Sequence, residues 1–129
     1  MKFFTAINCM DGRVQLPVIY YLQERFGAEY VDVISEPGPN RILAQKTDLD
    51  LIESIFNRIE ISVNQHHSRG IAVVGHHDCA GNPASKADQI GHIRDAMKIV
   101  RKRYLEISII GLWVDDNWVV SEIQQERSG

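Results

Sequence analysis

The sequence predicts an α/β fold: a three-layer sandwich built on a mainly parallel, flavodoxin-like sheet of strand order 2-1-3-4, with an antiparallel edge strand added. Three observations point there. Strand-like and helix-like segments alternate along the chain, the pattern of a parallel sheet with crossover helices. Residues 71–75, Ile-Ala-Val-Val-Gly, form a short apolar run of the kind buried on both faces of such a sheet. The last two strand-like segments are joined by only a short polar turn, which folds the final strand back antiparallel.

The elements follow in order. Residues 3–8 are apolar and β-prone and make the first strand. Residues 17–26 carry Val18, Ile19, Leu22 and Phe26 at helical spacing, with Pro17 suited to a first turn and Gly27 to a stop. Residues 30–34 read as the second strand, and residues 36–40, with two prolines and a glycine, as loop. Thr47-Asp48-Leu49-Asp50 resembles a capping box with Asp in place of Glu. It opens a helix whose apolar face is Ile52, Ile55, Phe56, Ile59 and Val63. The third strand is residues 71–75. A helix opening at Ser85-Lys86-Ala87-Asp88 aligns Ile90, Ile93, Met97, Val100 and Tyr104 on its buried side. Residues 106–113 form the fourth strand, Asp115-Asp116-Asn117 a turn, and residues 118–123 the edge strand. Right-handed crossovers then place strands 2 and 3 on opposite sides of strand 1. Ligand sites in open α/β sheets form at that switch point, beyond the carboxyl ends of strands 1 and 3.

Composition limits the function. The chain has 129 residues, 44% hydrophobic and 24% charged, which suits one soluble globular domain spanning residues 1–129. A net charge of -3 argues against a nucleic-acid partner bound through phosphate neutralisation. No apolar run reaches the ~18 residues of a membrane helix, so no membrane partner is expected. The opening apolar stretch is too short for a signal peptide and lacks a cleavage site, so the expected location is cytoplasmic. There are two cysteines, Cys9 and Cys79. In a reducing compartment they read as metal ligands or core residues before they read as a disulfide.

Their placement sharpens this. Cys9-Met10-Asp11-Gly12-Arg13 follows strand 1, and Gly75-His76-His77-Asp78-Cys79-Ala80-Gly81 ends strand 3. Two soft thiolates and an imidazole at one end of adjacent strands suit Zn²⁺. His76 and Cys79 come from one loop, and Cys9 from the neighbouring strand. A fourth position remains for water or for Asp11, the nearest carboxylate in the sequence. The competing readings are two buried core cysteines with a backbone-satisfied histidine, or a redox pair between Cys9 and Cys79.

Cys9-x-Asp11-x-Arg13 followed by His76-x-x-Cys79 resembles the zinc signature of the β-class carbonic anhydrases, in a short, divergent form. Ile110-Gly111-Leu112-Trp113-Val114-Asp115 and the strand after it resemble that family's closing strands. The resemblance implies zinc held by Cys9, His76 and Cys79. It implies Asp11 paired with Arg13, or swung onto the metal in a closed, inactive state. It also implies a zinc lyase that reversibly hydrates carbon dioxide to bicarbonate. Zinc lowers the pKa of bound water from 15.7 toward ~7, and the hydroxide attacks carbon dioxide. Asp11 would aim that hydroxide, and Arg13 would keep Asp11 ionised and off the metal. Thiolate ligands oppose the acidification, which Arg13 and backbone donors would offset. A homodimer or higher homo-oligomer is implied as well.

Two departures stand out. Relatives usually carry Arg-Asn-Ala-Gly after strand 2, whereas this chain has Ser35-Glu36-Pro37-Gly38, where an acid appears and a cation is missing. The chain also opens directly on strand 1, so the helical arm that wraps a partner subunit in many relatives is expected to be absent. The alternatives to the hydratase are a non-catalytic zinc protein closed by Asp11 and a hydrolase of carbon disulfide or carbonyl sulfide. Elsewhere, Asp78 is expected to orient Arg13 or cap a turn, and His77 to be an exposed loop residue or a proton shuttle. His66 and His67 are expected to suit a helix C-terminus, and His92 to lie at the surface or in an interface. Lys98, Arg101, Lys102 and Arg103 read as a solvated helix end, and Trp113 and Trp118 as packing residues.

Overall fold

The computed structural model describes residues 2–124. Five strands form one sheet in the order β2-β1-β3-β4-β5: β1 (Phe3–Cys9), β2 (Tyr30–Glu36), β3 (Gly70–His76), β4 (Ser108–Val114) and β5 (Val120–Ile123). The first four are parallel and β5 returns antiparallel on β4, as the sequence predicts.

The sheet divides the core by the two-residue period of its strands. Ile7, Ile71, Val73 and Ile109 face one side, where α3 (Leu49–Glu60) and α4 (Lys86–Arg103) bring Ile55, Phe56, Ile59, Ile93 and Val100. Phe4, Ala6, Ala72, Val74 and Leu112 face the other, against Val18 and Leu22 of α1 (Gln15–Phe26). Each such fully buried aliphatic side chain contributes about 1.5–3 kcal/mol relative to exposure. β3 is buried along its whole length, in keeping with its central place and unbroken apolar sequence.

The starts of α3 and α4 lie within a residue of their sequence signals, with Asp48 rather than Thr47 as the cap of α3. The Asp48 side chain accepts from the Leu51 amide at 3.1 Å, and Ser85 from that of Asp88 at 3.2 Å. Gly27 closes α1 in the left-handed conformation. Strand and helix ends shift by a few residues: β2 runs on to Glu36, α1 starts at Gln15, and β4 and β5 start two residues late.

One segment differs from its expectation. The expected loop over residues 36–40 is loop only at its centre, because Pro39 begins a helix, α2 (Pro39–Gln45). Proline needs no hydrogen-bonded N–H in a first turn and its φ is already helical, so it starts this helix rather than breaking it. On α4 the fully buried position beside Ile93 is Gln89, while Ile90 is half-buried. His66 ends a π-helical turn (Ile61–Gln65) that follows α3. Its Nδ1 lies 2.6 Å from Asp32 Oδ2 and its ring stacks on Phe3, so a carboxylate rather than the helix dipole alone holds it.

Candidate metal centre

The crevice opens where the strand pairing stops. β1 and β2 stay paired to Cys9↔Glu36, and β3 and β4 to His76↔Val114. Between β1 and β3 the pairing ends at Ile7↔Val73. Beyond that point the two chains diverge, and each delivers ligand-type side chains into the gap. β1 ends in Cys9, β3 ends in His76, and Cys79 follows on the next turn.

These residues form a group whose donor atoms all lie within 4.8 Å of one another. All are buried, and the two sulfurs are free thiols 3.8 Å apart. The His77 carbonyl oxygen lies 2.7 Å from His76 Nδ1. A carbonyl only accepts, so Nδ1 carries the proton and the lone pair is on Nε2. That nitrogen is buried without a hydrogen-bond partner. An orphaned acceptor beside two sulfurs is what a metal ligand looks like before its ion.

The crowding also shifts the titration of all three groups. The Cys79 thiol, with help from His76 and from the backbone amides of Gly38 and Asp11, pulls Cys9 well below the usual thiol range despite its burial. Next to that thiolate, Cys79 is pushed up by the same contact and by desolvation, while the Asn82 and Gly81 amides draw it down. Burial works against a charged His76, yet Cys9 and the His77 carbonyl leave it raised overall. A soft divalent ion would replace the protons that these groups contest.

The loops that carry the amide donors touch closely. A Cβ on Gly38, whose φ is +61°, would fall 2.8 Å from the Gly81 carbonyl carbon. Only glycine satisfies both the backbone angle and the approach.

Asp11 caps a short 3-10 turn (Gly12–Val14), its Oδ1 accepting from the Arg13 amide at 2.9 Å. The Arg13 guanidinium grips the same carboxylate, with NH2 at 2.7 Å from Oδ2 and Nε at 3.0 Å from Oδ1. This pairing pulls the Asp11 carboxyl down to about 2. Asp11 thus stands beside the Cys9, His76 and Cys79 group and outside it. Asp78 is on Arg13, as one of its two expected roles. His77 is exposed, and its ring edges Trp118. Trp113 is core, while Trp118 lies under Arg13. His92 is half-buried with Nδ1 2.9 Å from Asn82 Nδ2.

Sequence reasoning missed four neighbours. Gln89 is 1% exposed; its Nε2 donates to the His76 carbonyl at 2.8 Å, and its Oε1 accepts from the His76 amide at 3.3 Å. Asn40 and Asn82, also buried, extend this network from α2 and the β3–α4 loop. The available signal was a glutamine on the apolar stripe of α4, four residues before Ile93. The fourth is Arg58 on α3, which forms an ion pair with Glu36. A cation does reach the departure after strand 2, but from another element.

The chain matches the family model described as "Putative carbonic anhydrase" over residues 1–124. It belongs to that family. Among solved structures it is similar to a β-carbonic anhydrase of Sordaria macrospora, described as tetrameric. The TM-score is 0.60 at 13% identity, over 93% of this chain and 79% of that one. It is also similar to the β-carbonic anhydrase CafA of Aspergillus fumigatus, with a TM-score of 0.57 at 14% identity, over 97% of this chain and 76% of that one. At such identities the likeness shows the fold: this family member has the α/β architecture of β-carbonic anhydrases. No curated protein matches the chain. None of the helices described is long and apolar enough to cross a membrane.

Proposed function

We propose that this protein is a zinc lyase that reversibly hydrates carbon dioxide to bicarbonate, with zinc on Cys9, His76 and Cys79. The observation that carries the reading is the orphaned, tautomer-fixed Nε2 of His76 beside two converging buried thiols, within a carbonic anhydrase family member. Zinc held there would supply the Lewis acidity that makes water a nucleophile near neutral pH.

The chain's own groups do the rest. Held by Cys9, His76 and Cys79, zinc would keep its fourth position for water. Asp11, held ionised by Arg13, accepts a hydrogen bond from the attacking water and so aims its lone pair at the carbon of carbon dioxide. Arg13 holds Asp11 away from the thiolates, and this pairing favours the open site over one closed by Asp11. Glu36 does not add an unbalanced negative charge, because Arg58 pairs with it. The amides of Gly38, Asp11, Gly81 and Asn82 offset part of the thiolates' charge donation.

We read residues 1–129 as one such domain, cytoplasmic, with no nucleic-acid or membrane partner. A homodimer or higher homo-oligomer fits the exposed Met10, Leu16 and Tyr20 and the tetrameric relative. Stopped-flow carbon dioxide hydration on zinc-loaded protein tests the reading, alongside elemental analysis that should find about one zinc per chain for the single three-residue ligand set. A rate no higher than that of Asp11→Ala overturns the hydratase. Protein purified without chelators and free of metal overturns the zinc site.

A further inference from the structure

Two left-handed turns converge on one arginine. Asp78 has φ 58° and Trp118 has φ 61°, a conformation that side chains with a Cβ adopt reluctantly, bulky ones most of all. Each turn is built by its own hydrogen bonds at the end of a neighbouring strand. The His77 amide donates to the Val114 carbonyl at 2.9 Å, which carries the β3–β4 pairing up to Asp78. After β4, the Trp118 amide donates to the Asp115 carbonyl at 3.0 Å, and Asp115 Oδ1 accepts from the Asn117 and Val119 amides at 2.9 Å each. Strained backbone held this firmly tends to serve a site.

Both turns present their residues to Arg13. NH1 of Arg13 lies 3.3 Å from Asp78 Oδ2, and NH2 donates to the Asp78 carbonyl at 3.1 Å. The guanidinium carbon sits 4.5 Å from the Trp118 ring centroid. Asp11 meanwhile takes Nε and NH2. The guanidinium is therefore held by Asp78 along the edge next to the one Asp11 takes, the two sharing one nitrogen, and by Trp118 on one face. It cannot follow Asp11 toward the thiols without losing those contacts.

We propose that Asp78 and Trp118 are positioning residues that anchor Arg13, and so set how often Asp11 leaves it to ligate the metal. The inference rests on the metal-site reading above. Without the anchor, Arg13 gives up Asp11 more readily, and the carboxylate closes the position that water needs. The geometry carries this: two left-handed turns from separate strands meet one exposed arginine whose partner, Asp11, is a carboxylate that acts on His76.

Cobalt(II)-substituted protein tests it, because the visible ligand-field bands report the donor set independently of activity. Asp78→Asn keeps a residue tolerant of left-handed backbone and the carbonyl contact while removing the carboxylate. Trp118→Gly removes the ring and relieves the backbone, and Trp118→Phe restores an aromatic face. Each of the first two should raise the Asp11-ligated fraction about twofold to fivefold, and together about tenfold, the scale of exposed cation–π and ion-pair contacts. The bands should shift accordingly, kcat should fall with KM unchanged, and Trp118→Phe should return both toward the starting values. Adding Asp11→Asn should abolish the shift. Bands and kcat unchanged in the double variant overturn the inference, as does a shift that persists with Asp11→Asn, which would mean general loosening. If the unchanged chain shows no thiolate-to-cobalt charge-transfer band, the metal-site reading itself falls and the inference with it.

Discussion

Gln89→Leu should destabilise the protein and weaken its hold on metal, although the glutamine touches no metal ligand atom. The side chain is 1% exposed and fills its place between α4 and the end of β3. Its Oε1 accepts from the His76 amide and from Asn40 Nδ2, both at 3.3 Å. Its Nε2 donates to the His76 carbonyl at 2.8 Å and the Asn82 carbonyl at 3.3 Å. Leucine has similar bulk, so little cavity forms. What is lost is the pairing of buried donors and acceptors, each worth about 1–3 kcal/mol when left unsatisfied. Three of the four bonds are long, which places the total near the lower end, at roughly 2–4 kcal/mol. With about 2.1 cal/mol/K of unfolding entropy per residue, a chain of 129 residues converts that into a Tm drop of roughly 7–15 °C. The same change frees the backbone of His76 to move, so zinc affinity should fall about tenfold, as it does when supporting groups around a metal are removed. Thermal melts followed by circular dichroism on chelated protein read the first effect. Zinc titration against a competing chelator reads the second. A Tm within about 2 °C of the starting protein, with unchanged zinc affinity, would refute the reasoning.

Three further outcomes are expected. Gly81→Ala should abolish zinc binding and lower Tm, since its Cβ would stand 2.4 Å from the Pro37 carbonyl carbon and 2.7 Å from the Gly38 nitrogen; calorimetric zinc titration checks this. Asp11 is held at about 2, below its ordinary 3.8, so it stabilises the fold above that ordinary value and the effect fades as pH falls toward 2. Urea melts should therefore show Asp11→Asn less stable than the parent at pH 5, with the gap closing by pH 2. Tyr104 donates to Glu60 Oε2 at 2.6 Å, and Tyr104→Phe should lose about 1–2 kcal/mol at neutral pH by urea titration. Desolvation and that carboxylate raise the phenol above its ordinary 10.0, so the neutral tyrosine stabilises the fold below pH 10 and the benefit declines only above it.

Most of the sheet was legible in the sequence because its signals are local. The wholly apolar run in β3, the caps at Asp48 and Ser85, and the polar turn at Asp115-Asp116-Asn117 each specify their element within a few residues. α2 was not legible: two prolines and a glycine announce a break, and only the packing of Leu43 into the core shows that a helix resumes at Pro39. Cys9, His76 and Cys79 could be placed together from sequence because strand order and the end of each strand follow from alternation and handedness. Gln89, Asn40 and Arg58 could not, since a polar side chain names its type and not its partner.

The sequence by itself determined which chemistry is available and at which end of the sheet it gathers. Residue type and spacing are enough for that, because strand alternation and crossover hand leave few topologies. Tertiary structure alone decided that Gln89 brackets the backbone of His76, that Arg58 reaches Glu36, and that Asp78 and Trp118 reach Arg13 from separate strands. Those facts depend on distances of a few ångströms between segments far apart in the chain. No local pattern encodes such distances, whereas hydrogen bonding and charge pairing are decided by them.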